Sequence, residues 1–293
     1  MCFFSLITVC LNPGDKLRKT LESALKQTCG DFELIVKDGG SSDGSLEKNR
    51  ELLKDPRIRV ITEKDTGIYD AMNQAVSHAE GQYLFFLNCG DTLYNETVLE
   101  KVKKTAEEGL ATEGLKSERF LPEEQGERST TVKPQQILYG DVFGKKTQAW
   151  ITPPPSITGF TCYRNVPCHQ ACFYSASLCK EKPFETKYRI RGDYEHFLWC
   201  FYRGEAQMRY LSFPVAEYEG GGYSETKENL RRSKSEHREI TAQYMKKTEL
   251  LKYRLIMALT LAPLRTYLSE SPRFAGVYSR LLKAFYRNGS DGR

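Results

Sequence analysis

Two stretches of this chain end in residues suited to hold a phosphate, a base or a cation. Val36-Lys37-Asp38-Gly39-Gly40-Ser41-Ser42-Asp43-Gly44 and Tyr83-Leu84-Phe85-Phe86-Leu87-Asn88-Cys89-Gly90-Asp91 each run from apolar, β-prone residues into small ones and an aspartate. That is the pattern of a buried parallel strand reaching a ligand crevice at its carboxyl end. Two such ends in one crevice predict a nucleotide site. The glycine spacing after Asp38 fits neither the dinucleotide fingerprint nor the P-loop, so NAD and ATP lack support. Asp, Gly and Ser also build ordinary tight turns, and by itself the loop stays open between the two readings.

Other candidates are scattered more widely. Asp65 and Asp70 flank Gly67, and Asp70 precedes Asn73 by one helical turn, so those two share a face; a helix cap at Asp65 reads equally well. His169 lies among Cys162, Cys168 and Cys172, a spacing that matches no standard structural zinc site. A packed core histidine is the alternative. Asp193 and Glu195 open an apolar segment, where aspartate is also a common cap. Gly220-Gly221-Gly222-Tyr223-Ser224 combines backbone freedom with an aromatic ring and is equally compatible with a plain hinge.

The elements that must position these residues alternate. Phe4 to Leu11, Glu33 to Lys37, Ile58 to Thr62, Tyr83 to Leu87 and Ile137 to Val142 read as strands. Leu17, Leu21, Ala24 and Leu25 mark a helix from about Asp15 to Lys26, and Ile68, Ala71, Met72, Ala75, Val76 and Ala79 mark another, with Gly81 where a C-cap is expected. Strands alternating with helices predict βαβ units and a mostly parallel sheet. Thr105 to Gln136 reads as a helix end and a polar surface excursion, and residues 226–286 read as helix interrupted by Pro263.

Of the 293 residues, those from Glu225 onward carry 15 Lys+Arg against 7 Asp+Glu, a surplus of eight. The total is +5, so the first 224 residues are net −3 and the basic character belongs to the tail. Nine cysteines, an odd number without regular pairing, predict a reducing compartment. The apolar opening lacks a positive n-region and a cleavage site, which makes it the first strand, and no apolar run reaches the roughly 20 residues of a membrane span.

Taken in order, Ser5-Leu6-Ile7-Thr8-Val9, Leu21 to Thr28, Phe32 to Gly44, Asp65-Thr66-Gly67-Ile68-Tyr69-Asp70-Ala71-Met72-Asn73, Leu87 to Asp91, His169-Gln170 and Gly192-Asp193-Tyr194-Glu195 closely resemble family 2 glycosyltransferases. The resemblance implies an α/β GT-A fold, with a mostly parallel central sheet flanked by helices, over residues 1–224. The nucleotide-binding half would be about 1–104 and the acceptor half about 137–224, followed by a basic helical extension over 225–293. It implies an inverting transfer of a sugar from a nucleotide-diphosphate donor, usually UDP-linked, to a hydroxyl of a saccharide or lipid-linked acceptor in surface polysaccharide assembly.

The resemblance also assigns roles. Asp38 would accept the imide N–H of uracil, and Asp65, Asp70 and Asn73 would line the nucleotide. Asp91 would hold a divalent cation, Mn²⁺ or Mg²⁺, although Cys89 replaces the first acid of the Asp-x-Asp pattern. Asp193 would be the general base, with His169, Gln170, Glu195 and Tyr223 on the acceptor or phosphate side and a role swap between Asp193 and Glu195 left open. The expected location is cytoplasmic, with the basic tail either solvated or resting on an anionic membrane, and no nucleic-acid partner is expected. A sugar nucleotidyltransferase and a non-catalytic sugar-nucleotide scaffold are the competing readings; Asn12-Pro13-Gly14-Asp15 is a poor triphosphate loop, and Asp193 argues against the scaffold.

Overall fold

Branched and aromatic runs buried on both faces make the centre of this sheet, and helices carry the chain between its first four strands. A computed structural model describes residues 2–118, 135–220 and 226–260. The order is β1 (Phe4–Cys10), α1 (Lys16–Leu25), β2 (Phe32–Asp38), α2 (Ser45–Lys48), α3 (Arg50–Leu53), β3 (Ile58–Thr62), α4 (Ile68–Ser77), β4 (Tyr83–Phe86), β5 (Thr92–Leu93) and α5 (Val98–Glu118). Then come β6 (Gln136–Gly144), β7 (Ala149–Ile151), α6 (Gly159–Arg164), a 3-10 turn (His169–Ala171), β8 (Cys172–Ser175), α7 (Ala176–Glu181), α8 (Gly192–Tyr202), β9 (Gln207–Tyr218), α9 (Lys227–Tyr244) and α10 (Lys247–Leu259).

The sheet runs β3-β2-β1-β4-β8-β6-β9-β5, with β7 on β6. The first four strands are parallel, as expected; β8 then pairs antiparallel with β4 and β6, so the sheet is mixed beyond β4. From β1 the chain steps outward to β2 and β3, then returns to β4 on the other side of β1. That reversal opens a crevice beyond the carboxyl ends of β1 and β4. β8 enters beside β4 and carries the turn containing His169 with it.

Leu17, Leu21 and Ala24 of α1 and Val98, Leu99 and Val102 of α5 pack with Leu6, Leu34, Val36 and Phe85 on one face. Ile7, Ile35 and Phe86, one residue out of phase, are buried on the other. Gly81 is not the C-cap its position predicts: α4 ends at Ser77. Its missing side chain serves a close approach instead, since a Cβ there would collide with the Ser5 amide and the Phe4 carbonyl carbon.

The chain divides after Ile240 into a first unit and a second, 241–293. Within the first, Glu236 is 6% exposed on the first part of α9. Its carboxylate accepts the amides of Arg189 (3.0 Å), Ile190 (3.0 Å) and Arg191 (2.9 Å) and the Arg232 Nε (2.9 Å). A stretch that reads as tail therefore fastens the segment leading into α8. In the second unit α10 exposes Leu251, Leu255 and Leu259 along one stripe.

His196 in α8 is fully buried against Phe184, with ring centroids 4.5 Å apart. Burial first, and the Lys182 charge second, lower its pKa to about 4. Unfolded, it titrates near 6.5, so between those values the unfolded chain binds the extra proton and stability falls as pH falls. We expect about 3 kcal/mol to be lost from this group between pH 6.5 and 4. Urea titrations of wild type and His196→Phe should show that slope reduced in the variant; parallel curves would contradict the assignment.

Candidate active site

The exits of β1 and β2 are laced into one surface. Asn12 N donates to Ser41 Oγ (2.8 Å), Ser42 N to Asn12 Oδ1 (2.8 Å) and Gly14 N to Asp43 Oδ2 (2.7 Å). Asp38 sits beneath this surface with no exposed area. Its carboxylate accepts the amides of Gly40 and Ser41 (3.1 Å each) and the Ser41 hydroxyl. Direct contact between Asp38 and a base would require Gly40 and Ser41 to give way; in this structure the carboxylate shapes the loop.

Asp65 meets the same surface from the β3 side. Its Oδ2 pairs with Lys37 Nζ (3.1 Å), its Oδ1 accepts Gly67 N (3.1 Å), and a Cβ on Gly39 would stand 2.8 Å from it. Asp70 accepts the amide (2.8 Å) and hydroxyl (3.0 Å) of Thr66, which closes the first turn of α4. Asn73 is not brought to the loop surface by its amide, which exchanges two hydrogen bonds with the Phe184 backbone at 2.8 and 2.9 Å.

Across the crevice a second cluster forms around Asp193, at the start of α8. Its Oδ2 is 2.9 Å from His169 Nδ1 and its Oδ1 accepts the Tyr69 hydroxyl at 2.9 Å. His169 Nε2 lies 2.9 Å from Asn88 Nδ2, at the exit of β4. With that amide donating, the imidazole proton resides on Nδ1 and points at Asp193. Burial pushes the Asp193 carboxyl up, but the hydrogen bonds and charge of His169, together with Tyr69, outweigh it and hold the group below the usual carboxylate range. The carboxylate is ionised at neutral pH with a quarter of its side chain, 26%, still exposed.

Asp91 lies nearby, 3% exposed, with Oδ1 accepting Glu219 N (2.9 Å). Burial raises its pKa, and hydrogen bonding from Glu219 and Gln170 and the charge of His169 oppose the rise. Cys89 is pushed up to about 12 by burial and stays a neutral thiol. Among the described residues no three His, Cys, Asp or Glu side chains gather in a form that could hold a metal. Hard cations want several oxygens; at the exit of β4 the described residues bring one carboxylate, that of Asp91, so a cation held there would draw its remaining ligands from elsewhere.

Glu195, the alternative to Asp193 in the sequence, is fully buried and paired with Lys182 Nζ at 3.3 Å. Tyr223 lies outside the described residues. Sequence reasoning missed Tyr69, Asn88 and Lys37 as participants. All three lie inside quoted motifs, and in the structure Tyr69 shares the buried face of α4 with Met72 and Val76.

Residues 5–155 match the family model described as glycosyl transferase family 2. A PGL/p-HBAD biosynthesis glycosyltransferase of Mycobacterium bovis is 34% identical over 236 residues, covering 78% of this chain and 83% of the relative. Among solved structures, TarS of S. aureus with UDP-GlcNAc superposes with a TM-score of 0.60 at 15% identity, over 83% of this chain and 71% of that one. The mannosyltransferase PcManGT of Pyrobaculum calidifontis, in complex with GDP-Man and Mn2+, gives 0.51 at 14% identity over 100% and 88%. These likenesses establish a common GT-A architecture.

Proposed function

Since the chain belongs to glycosyl transferase family 2 and is a glycosyltransferase of glycan biosynthesis, we propose that it inverts the anomeric centre of a nucleotide-diphosphate sugar, with UDP as the nucleotide, onto a hydroxyl of a saccharide or lipid-linked acceptor. The observation that carries this reading is the ionised Asp193, held between His169 and Tyr69 at the crevice. Inversion needs a carboxylate that takes the acceptor proton as the new C–O bond forms opposite the departing diphosphate.

In this reading the laced loops of 12–14 and 38–44, with Asp65 and Asp70 behind them, receive the nucleotide. Asn73 holds α4 to Phe184 behind that surface. His169 orients Asp193, and Gln170 steadies Asp91 between the diphosphate and the acceptor. Asp91 is the carboxylate offered to any divalent cation, whose remaining ligands would come from the donor and water; such a cation would offset charge on the leaving diphosphate. Calorimetric titration with UDP, GDP and ADP, with and without Mn²⁺, tests the donor assignment. UDP-selective, metal-enhanced binding is expected; binding of none of the three overturns it.

A lipid-linked acceptor would place the enzyme at a membrane surface. No described helix is long and apolar enough to cross a membrane. On α10, however, the exposed stripe Leu251, Leu255 and Leu259 runs beside the exposed cations Lys252 and Arg254, a combination suited to anionic lipid. A buried leucine is worth about 2 kcal/mol, so Leu251→Glu with Leu255→Glu should cut flotation with anionic vesicles more than about tenfold. Equal recovery of both full-length forms sinks the idea. The aromatics from Tyr267 to Tyr286 lie outside the described residues.

A further inference from the structure

Tyr69 stands at the junction of α4 and α8 with one proton and two acceptors. Its hydroxyl oxygen is 2.8 Å from the Ile190 carbonyl and 2.9 Å from Asp193 Oδ1. A phenol can donate to one of them at a time. We propose that Tyr69 is a positioning residue that switches its hydroxyl between these two acceptors as Asp193 takes up and releases the acceptor's proton.

The inference rests on Asp193 being the base. While the carboxylate is ionised, Tyr69 donates to Oδ1 and His169 to Oδ2, so both oxygens are satisfied. In the transfer step the acceptor O–H bond breaks and its electrons form the bond to the anomeric carbon. The C–O bond to the diphosphate breaks with its electrons, and the proton passes to Asp193. His169 already presents an N–H to Oδ2, so the proton settles on Oδ1. The new carboxylic acid then donates to Tyr69 Oη, and the phenol hydrogen swings to the Ile190 carbonyl. The carboxyl group and the phenol each keep a hydrogen-bond partner in either state, which spares them the cost of about 1–3 kcal/mol that an orphaned group incurs.

The surroundings fit such a switch. Burial, and then the Asp193 charge, push the Tyr69 phenol well above its usual value, so it keeps its proton. Of the other titratable groups near Asp193, Cys168, Cys172, Tyr174 and His196 are held neutral by burial, and the neighbouring carboxyl is that of Asp91, whose own pKa burial raises. The ring is fixed independently of the hydroxyl: it stacks on Phe184 at 5.9 Å, and a Cβ on Gly192 would stand 2.7 Å from it. The carbonyl of Ile190 is fixed from the far side of its peptide group, since Glu236 holds the Arg191 amide.

Tyr69→Phe in the full-length enzyme removes only the hydroxyl. We expect kcat to fall about 10- to 100-fold with donor affinity unchanged. The acid limb of kcat/KM should move up by about one pH unit, because the ionised base has lost a donor. Wild-type kcat with an unmoved limb overturns the proposal. If the variant folds poorly, a fluorinated tyrosine at position 69, a stronger donor, should move the limb down; no movement again overturns it. Asp193→Asn separates the two levels. A fully active Asp193→Asn enzyme would remove the base itself, whereas an inactive one beside an unaltered Tyr69→Phe enzyme would remove the switch alone.

Discussion

Asp193→Asn should transfer sugar about 10²- to 10⁴-fold more slowly than wild type, while binding nucleotide in calorimetry as wild type does. The amide keeps the shape of the carboxylate but cannot take a proton, so the loss, about 3–5 kcal/mol of barrier, belongs to the chemical step. The structure removes the two obvious substitutes. Both ring nitrogens of His169 are engaged, one by Asn88 and one by Asp193. Glu195 is sealed in the core with Lys182. Of Asp91, Asp193 and Glu195, Asp193 is the one whose carboxylate combines spare lone pairs with substantial exposure. Rates should be measured at saturating donor, with melting curves showing that the variant is folded. Full activity would remove the base assignment and with it the inverting mechanism in this form.

What could be read from the sequence follows from how local each cause is. β1, β2 and β4 were legible because their apolar runs are continuous, and Ile58–Thr62 appears with the expected limits although Arg59 interrupts its apolar run. β8 is four residues long and β9 contains Pro214, with Ser212 at a φ of 52° and a register shift opposite Asp141. Neither offers an uninterrupted alternation. The carboxylates were legible as types and not as partners: the ring of His169, 24 residues before Asp193 in the chain, reaches it only because β8 inserts beside β4.

Glu236 shows the limit most clearly. In the sequence it is one acid among many bases, and its i,i+4 neighbour Arg232 suggests a solvated helical pair. In the structure that pair is incidental to three backbone amides on the approach to Asp193. A carboxylate that serves a distant loop leaves no periodic trace.

Lys37→Met should cost about 3–5 kcal/mol of stability and weaken nucleotide binding, for reasons that begin in β2. Lys37 has no exposed area, and its ammonium meets three acceptors: the Glu63 carbonyl at 2.6 Å, Asp65 Oδ2 at 3.1 Å and the Asp38 carbonyl at 3.3 Å. Three N–H groups face three oxygens, one from each of the strand exits that frame the nucleotide surface and one from the approach to α4. Methionine fills most of the volume, so the expected loss is not a cavity effect. It arises because Asp65, 13% exposed, is left as a nearly buried charge held only by Gly67 N. Relief is available if Asp65 turns outward, but Gly39 then loses the wall against which its loop is set. Urea unfolding reads the first effect and UDP titration of the folded variant reads the second. A variant as stable as wild type and with the same affinity would reduce Lys37 to a spacer, whereas a stable variant with weakened UDP binding would mean that the ion pair exists to place Asp65 rather than to hold the fold.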